Sequence, residues 1–440
     1  MKITNFEHTG LDKIELWIEK NNIKFLDEKS LKEALKTINI SFVTEGIDRV
    51  QSMLLCEMKD SYVQQSQRYV AIKEDGYILP ALSEEDNKLA KALTEKAFDL
   101  YKRMSELKDG DFKGRPKIEN YKYGIPIEDA RYILPLSTKT NVSVTMTGDK
   151  LCQLFCLMND KKYLNIFSDF KKELCAYLPN NLIYLLPKAC DSDKNKALIE
   201  NLYDEDMKKI DTENNMVLLT AFNNLDLKVG LGALTSTQAR TPSETLTAWG
   251  GEADSKAKGV AKRVLGYGHE SIAEQARTTF GMMCSMVTYH QQIRHRLSEN
   301  HREDLCNIIL DPARPVLVPP SIKNSVFYQE YLDLVETFKD FRLYILKNYG
   351  QDKAFSFILN CDQIKLIIST NARIDFTMLA ERICNNAQWE IRELAIKKLM
   401  ILRSMSNILY ERALPSCVFG KCKEGKLTCG KQQEMRNKFL

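Results

Sequence analysis

The chain has 440 residues, 44% of them hydrophobic and 28% charged, with a formal net charge of +4. That length allows two or three domains, each with its own core. The charge is spread along the whole chain and is too small to argue for nucleic acid or a membrane surface as partner, which leaves room for a small anion in a locally basic pocket. The opening residues MKITNFEHTG carry no apolar signal-peptide core. The longest apolar runs, such as NLIYLLP at 181–187, are too short to cross a bilayer. The chain therefore reads as cytoplasmic, and its twelve cysteines, which follow no framework of spacings, read as reduced thiols.

In chain order, the periodicity predicts a helix over 80–113 that ends at a glycine. A strand follows at 140–147, TNVSVTMT, alternating and rich in β-branched residues. The acidic and basic stretch 190–215 reads as a connection. A second long helix is predicted at 324–349, again stopping at a glycine, then a strand at 364–371 and a third helix over 385–412. Helices with a few strands predict an α+β fold, helix-rich around a mostly antiparallel sheet. Residues 40–58 and 278–296 are weakly alike. Each runs from a small-residue/Phe pair through apolar residues to a polar cluster, then to a Pro-containing connection, a long helix and a strand ending in Thr. The chain thus reads as two copies of one domain, 1–205 and 214–440, with 206–213 as linker.

Four of the five histidines, His269, His290, His295 and His301, fall in one segment of the second copy. Arg294 and Arg296 flank His295, and arginine suits a bidentate grip on phosphate. On a helix, Gln291 would share a face with Arg294 and His295. A solvated helix end is the bland alternative for such a basic run. A metal site fails on spacing, and the interleaved arginines would repel a cation. Cys417, Cys422 and Cys429 lack a fourth ligand and read as a structural or redox-prone tail. The Gly-rich GLGALTS at 230–236 matches no dinucleotide fingerprint or P-loop. Trp389, Ile391 and Leu394 read as helix core, and the acidic stretches at 84–86 and 203–206 as solvated faces.

RHR at 294–296 followed by Ser resembles the signature of the flavin-dependent thymidylate synthases, RHRxxSxxSxRY. GHESIAEQA at 268–276, TNAR at 370–373 and NAQWEIREL at 386–394 are similar to further motifs of that family, in its order, and so is the cysteine-bearing tail at 417–431. The signature breaks after RHR, where this half reads ENHREDL. Its missing end stands in the first half, as SYVQQSQRYV at 61–70, with Ser66, Arg68 and Tyr69. The first half also holds EDARYILPL at 128–136, whose Arg131 has no counterpart in AFSFILN at 354–360. Conversely, TGD at 147–149 stands against Asn371 and Arg373, and Met158 against Arg382. Each half keeps what the other has lost.

The resemblance implies methylation of dUMP, or a related pyrimidine nucleotide, with methylenetetrahydrofolate as carbon donor, FAD as cofactor and NADPH as reductant. It implies Arg382 as the catalytic residue that stabilises charge on the base. It implies Gln291, Arg294, Arg382, Gln64, Ser66, Arg68 and Arg131 at the nucleotide. Ser236, His269, Ser271, Arg294, His295, Arg296, Asn371 and Arg373 are implied at the flavin, and no metal. The family's tetrameric habit implies a homodimer of this fused chain, forming a pseudo-tetramer. Asn386 departs from the family's usual His, and HREDL at 301–305 from its SxR segment. Two other readings stay open: a flavin enzyme acting on another pyrimidine nucleotide, and a non-catalytic nucleotide- or flavin-binding paralogue.

Overall fold

A computed structural model describes residues 1–107, 124–190 and 198–440. Each half builds a four-stranded antiparallel sheet of the same order. The first consists of β1 (Lys2–Thr9), β2 (Asn39–Asp48), β3 (Ser61–Gln64) and β4 (Lys139–Thr147), ordered β1-β2-β4-β3. The second repeats this as β5 (Met216–Ala221), β6 (Arg277–Ser285), β7 (Glu299–Arg302) and β8 (Gln363–Asn371), ordered β5-β6-β8-β7. The period-two pattern of β4 explains its place: Val142, Val144 and Met146 are buried while Asn141, Ser143 and Thr145 face solvent. β6 is buried along nearly its whole length because the second half adds a helical layer over it, where Phe280 packs with Leu379 and Leu399.

The helices that matter for the site are α1 (Arg49–Cys56), α2 (Glu84–Glu106), α3 (Lys150–Asn159), α4 (Leu225–Thr235), α5 (Met286–Gln292), α6 (Tyr328–Tyr349), α7 (Ala372–Ile383) and α8 (Trp389–Met405). α1 and α5 begin at equivalent caps. Asp48 Oδ1 accepts from Gln51 N at 2.8 Å, and Ser285 Oγ accepts from Thr288 N at 3.1 Å. α2, α6 and the two strands lie within a few residues of their expected spans, although 108–113 falls outside the described residues. α8 starts at Trp389 rather than 385, because Gln388 caps it, and it breaks at Ser406 before a short turn at Asn407–Tyr410.

Three further expectations are corrected. α5 stops at Gln292, so Arg294, His295 and Arg296 lie in the turn beyond it and not on a continuing helical face. Cys156 and Cys190 form a disulfide, against the reading of every cysteine as a reduced thiol. The end of α3 and the segment after Leu186 run side by side, bridged at Asp160 and Cys190, a proximity that their separation in sequence does not signal. Asp86 is buried rather than solvated: it accepts from Ser83 Oγ at 2.9 Å and is bonded by the Tyr344 and Tyr349 hydroxyls of α6. Glu84, Glu85, Asp204 and Glu205 are exposed, as expected.

The halves meet through an antiparallel clasp. Leu136 N donates to Ile358 O at 2.8 Å, and Asn360 N to Leu134 O at 2.9 Å. Ser137 N donates to Ser356 O and Cys361 N to Tyr132 O, both at 2.9 Å. Leu134 and Ile358 are equivalent positions of the two copies, so the contact is isologous about a pseudo-twofold axis at the Pro135–Leu359 bridge. Val50, Met53, Tyr132 and Leu134 of the first half share one apolar cluster with Met286, Tyr289, Phe355 and Leu359 of the second. Since the principal core belongs to both copies, urea unfolding followed by probes in each half is expected to give one coincident transition. Leu359→Ala is expected to lower stability by about 2–5 kcal/mol, the cost of a buried cavity. Two separated transitions would refute a shared core.

Candidate functional site

Four segments converge beside the clasp, two from each half. β3 and the turn after it bring Gln64, Ser66 and Arg68. The short helix Ile127–Ala130 delivers Arg131. The turn after α5 brings Arg294 to Arg296, and the end of α7 brings Arg382, with the loop to α8 beside it. Arg294 Nη2 donates to Gln64 Oε1 at 3.3 Å, and Arg296 Nη2 to Tyr62 O at 2.8 Å. Arg68 Nε donates to Glu128 Oε2 at 2.7 Å, and its Nη2 reaches across the halves to Asn386 O at 2.9 Å. Arg131 Nε donates to Glu128 O at 3.1 Å. The expected SxR and EDAR segments of the first half therefore stand with the RHR turn and Arg382 of the second. Ser66 also lines a cavity of about 360 Å³ with Gln65, Lys139 and Asn141.

Sequence reading missed Arg49. It is buried and within electrostatic reach of Arg131 and Arg294. An arginine opening the apolar run VQSMLLC was the available signal. Arg131 in turn feels Arg68, and Arg382 feels Arg294 and Arg68. Burial, reinforced by these neighbouring cations, lowers Arg49 to about 9 and Arg131 to about 10. Burial likewise lowers Arg382 to about 10, against the pull of Glu381. All stay cationic at neutral pH. Arg49 Nε and Arg131 Nη2 are buried without a hydrogen-bond partner among the described residues. Buried donors left unmade are costly, and a polyanion in the site would supply their acceptors.

His295 is half-buried. Burial first, then Arg382, Lys398 and Arg294, depress it to about 3. It is neutral at neutral pH, and its Nε2 accepts from Arg382 Nε at 2.7 Å, which assigns its proton to Nδ1. Arg382 Nη2 also donates to Gln291 O at 3.4 Å. A protonated His295 would repel Arg382, so the pair is held by keeping the ring uncharged. Cys56 lies beside the arginines and receives Gln64 Nε2 at 3.1 Å, yet burial pushes its thiol up to about 12, which favours the protonated form at neutral pH.

The remaining sequence-predicted residues form a second group. Ser236 follows α4, and His269 and Ser271 lie at the turn Glu270–Gln275, which packs on α4 and α7. Asn371 caps α7 by accepting from Ile374 N at 3.0 Å, and Arg373 pairs with Glu274. Asn371 and Arg382 stand at opposite ends of α7, a separation of about 16 Å along the axis at 1.5 Å per residue. Within one chain the two groups are not brought together. Among the described residues no three His, Cys, Asp or Glu side chains stand where they could share a metal, and no helix is long and apolar enough to cross a membrane.

The model of the family described as thymidylate synthase complementing protein matches residues 9–163 and again 218–406. The chain belongs to this family. The match falls in two segments, each covering most of one of the two sheets of the same strand order, and single relatives align with less than half of the chain. The flavin-dependent thymidylate synthase of Geobacter sulfurreducens is 28% identical over 181 residues, covering 40% of this chain and 78% of that protein. That of Pyrococcus furiosus is 33% identical over 176 residues, covering 38% and 72%. Among solved structures, the flavin-dependent thymidylate synthase ThyX of Helicobacter pylori, complexed with FAD and dUMP, is 18% identical. It covers 46% of this chain and 99% of that one, with a TM-score of 0.37.

The His295 geometry carries a pH signature for the family member described here. A histidine lowered to about 3 in the fold, against about 6.5 unfolded, binds fewer protons when native. Its contribution is complete above pH 6.5 and is lost as pH falls toward 3. The difference in stability between wild type and His295→Gln is expected to shift progressively in favour of the variant across that window. Parallel stability curves would show that the ring is not held neutral.

Proposed function

We propose that the chain is a flavin-dependent thymidylate synthase whose nucleotide site is assembled from both of its halves. The observation that carries the reading is the convergence of Arg49, Arg68 and Arg131 with Arg294, Arg296 and Arg382; the acids set against them include Glu128, already paired with Arg68, and exposed Glu381 beside Arg382. Such an excess of positive charge, with Arg49 and Arg131 buried and Arg294 open to solvent, suits a phosphate dianion. Ser66, Arg68 and Arg131 hold the phosphate of dUMP, while Gln64, Gln291 and Arg294 hold the rest of the nucleotide. Arg382, aligned by neutral His295, stabilises the negative charge that develops on the uracil ring. No protein cysteine is required, in keeping with the protonated Cys56.

The chain's donors suit FAD: Arg294 and Arg296 at one end of α7 match a pyrophosphate, and at the other end Arg373, with His269, Ser271, Ser236 and Asn371, offers further polar contacts. FAD, when bound, supplies the redox chemistry. Methylenetetrahydrofolate gives the carbon, which becomes a methyl group with two electrons drawn ultimately from NADPH, and tetrahydrofolate and NADP leave. Because the two groups of flavin residues lie at opposite ends of α7, either an elongated ligand or a second chain must link them. We take the assembly to be a homodimer of fused chains, a pseudo-tetramer.

Purified chain incubated with dUMP, methylenetetrahydrofolate, FAD and NADPH is expected to yield a nucleotide heavier by one methyl group in mass spectrometry. Unchanged dUMP with FAD bound would transfer the reading to another pyrimidine nucleotide. Unchanged dUMP without FAD binding would favour a non-catalytic paralogue. Arg68→Ala and Arg131→Ala are each expected to weaken dUMP binding by about 10- to 100-fold, the worth of a charge-assisted hydrogen bond. Two variants with wild-type affinity would remove the first half from the site.

A further inference from the structure

The pseudo-twofold axis generates a second position equivalent to the arginine site. Glu57 and Arg294 stand at the same distance past equivalent caps, 48 to 57 and 285 to 294. Gln64 lies opposite Val142 in β4 and Arg302 opposite Leu366 in β8, so these two are equivalent as well. The bond from Arg294 to Gln64 is thereby mirrored by an ion pair in which the roles are exchanged: Arg302 Nε donates to Glu57 Oε1 at 2.6 Å. Elsewhere in this mate site Phe355 replaces Arg131 and Met158 replaces Arg382, both fully buried. Asp304, two residues past Arg302 as Ser66 is two past Gln64, is paired with buried Lys162. Carboxylates stand where phosphate donors would be needed.

Glu57 does more than occupy the mate site. Its Oε1 also accepts from Tyr289 Oη at 2.6 Å. Tyr289 belongs to α5, the helix that carries Gln291 and leads directly into Arg294 and His295. Arg302, which holds Glu57 in place, is buried and also donates to Glu303 O at 3.2 Å and to Tyr163 Oη at 3.4 Å. We infer that the mate site takes no nucleotide and that Glu57 has become a positioning residue for the working site, fixing α5 through Tyr289. This rests on reading the arginine cluster as a nucleotide site. The physical case is that a carboxylate clamped by buried Arg302 is a rigid acceptor, and a helix pinned one turn before its functional residues transmits that rigidity to them.

The test is equilibrium titration of the full chain with dUMP, followed by steady-state kinetics of Tyr289→Phe, Glu57→Ala and Glu57→Gln. One dUMP per chain is expected. Tyr289→Phe and Glu57→Ala are expected to lower kcat/KM for dUMP on the order of 10- to 100-fold, as a small misplacement of catalytic groups does. Glu57→Gln, which keeps an acceptor for Tyr289, is expected to recover part of that loss. Two dUMP per chain, or wild-type kcat/KM in Tyr289→Phe, would overturn the inference while leaving the assigned activity intact. A wild-type chain that binds no dUMP would sink the nucleotide reading and this inference with it. Should Glu57→Ala fail to fold, Tyr289→Phe decides, since it leaves the Glu57–Arg302 pair in place.

Discussion

The isologous clasp between residues 132–137 and 356–361 is the constraint on which everything else depends. It joins backbone to backbone, so its geometry is set by main-chain hydrogen bonds and not by adjustable side chains. Beneath it, the buried Glu390 carboxylate accepts from Tyr132 Oη of the first half at 2.7 Å and from Ser285 N of the second at 2.7 Å. Ser285 is the cap of α5, and Tyr132 directly follows Arg131. One acid thus sets the two sides of the arginine site relative to each other. Trp389 extends the same linkage by donating from Nε1 to Asp129 Oδ1 at 3.0 Å, so a residue that reads as helix core also ties the copies together.

The site is a concentration of like charge that the fold tolerates only because the surroundings are arranged for it. Arginine keeps its proton where lysine or histidine would surrender one, and the ring of His295 has done so. Glu128 neutralises one guanidinium and offers its own carbonyl to another. What remains uncompensated is the binding energy available to an anion. The mate site shows the contrasting solution for the same backbone. There opposite charges are paired internally, and the remaining positions, Phe355 and Met158, are apolar and buried. On the reading proposed above, two equivalent positions of one repeated fold serve different ends, one binding the nucleotide and the other bracing it.

Much of this was legible in the sequence because the chemistry sits in contiguous motifs. Arg68, Arg131, Arg294 and Arg382 each lie in a recognisable run, and the complementarity of the runs by itself points to a shared site. The two copies, the α+β class and the long helices followed from periodicity. What the sequence hid was non-local. Arg49 meets Arg131 and Arg294 only through contacts between segments distant in sequence, and Glu57 looks like an ordinary helix-end charge until Arg302 and Tyr289 are seen around it. The Cys156–Cys190 disulfide and the burial of Asp86 against α6 depend on segments distant in sequence. The RHR run looked helical because the residues before it are. Its actual turn depends on the contacts of Arg296 with β3 and of His295 with Arg382.

The central claim is that one chain builds its nucleotide site from its own two halves. Mixing two impaired variants, Arg68→Ala and Arg382→Ala, at a dUMP concentration where each alone is nearly silent, tests it most directly, with subunits exchanged under mild denaturant and refolded together. If each site is assembled within a chain, every chain in the mixture carries one damaged half of its own site, and no thymidylate synthesis returns. Recovered activity, approaching a fixed fraction of wild type as the two are brought to equal amounts, would show that the halves of a site come from different chains and would contradict this account.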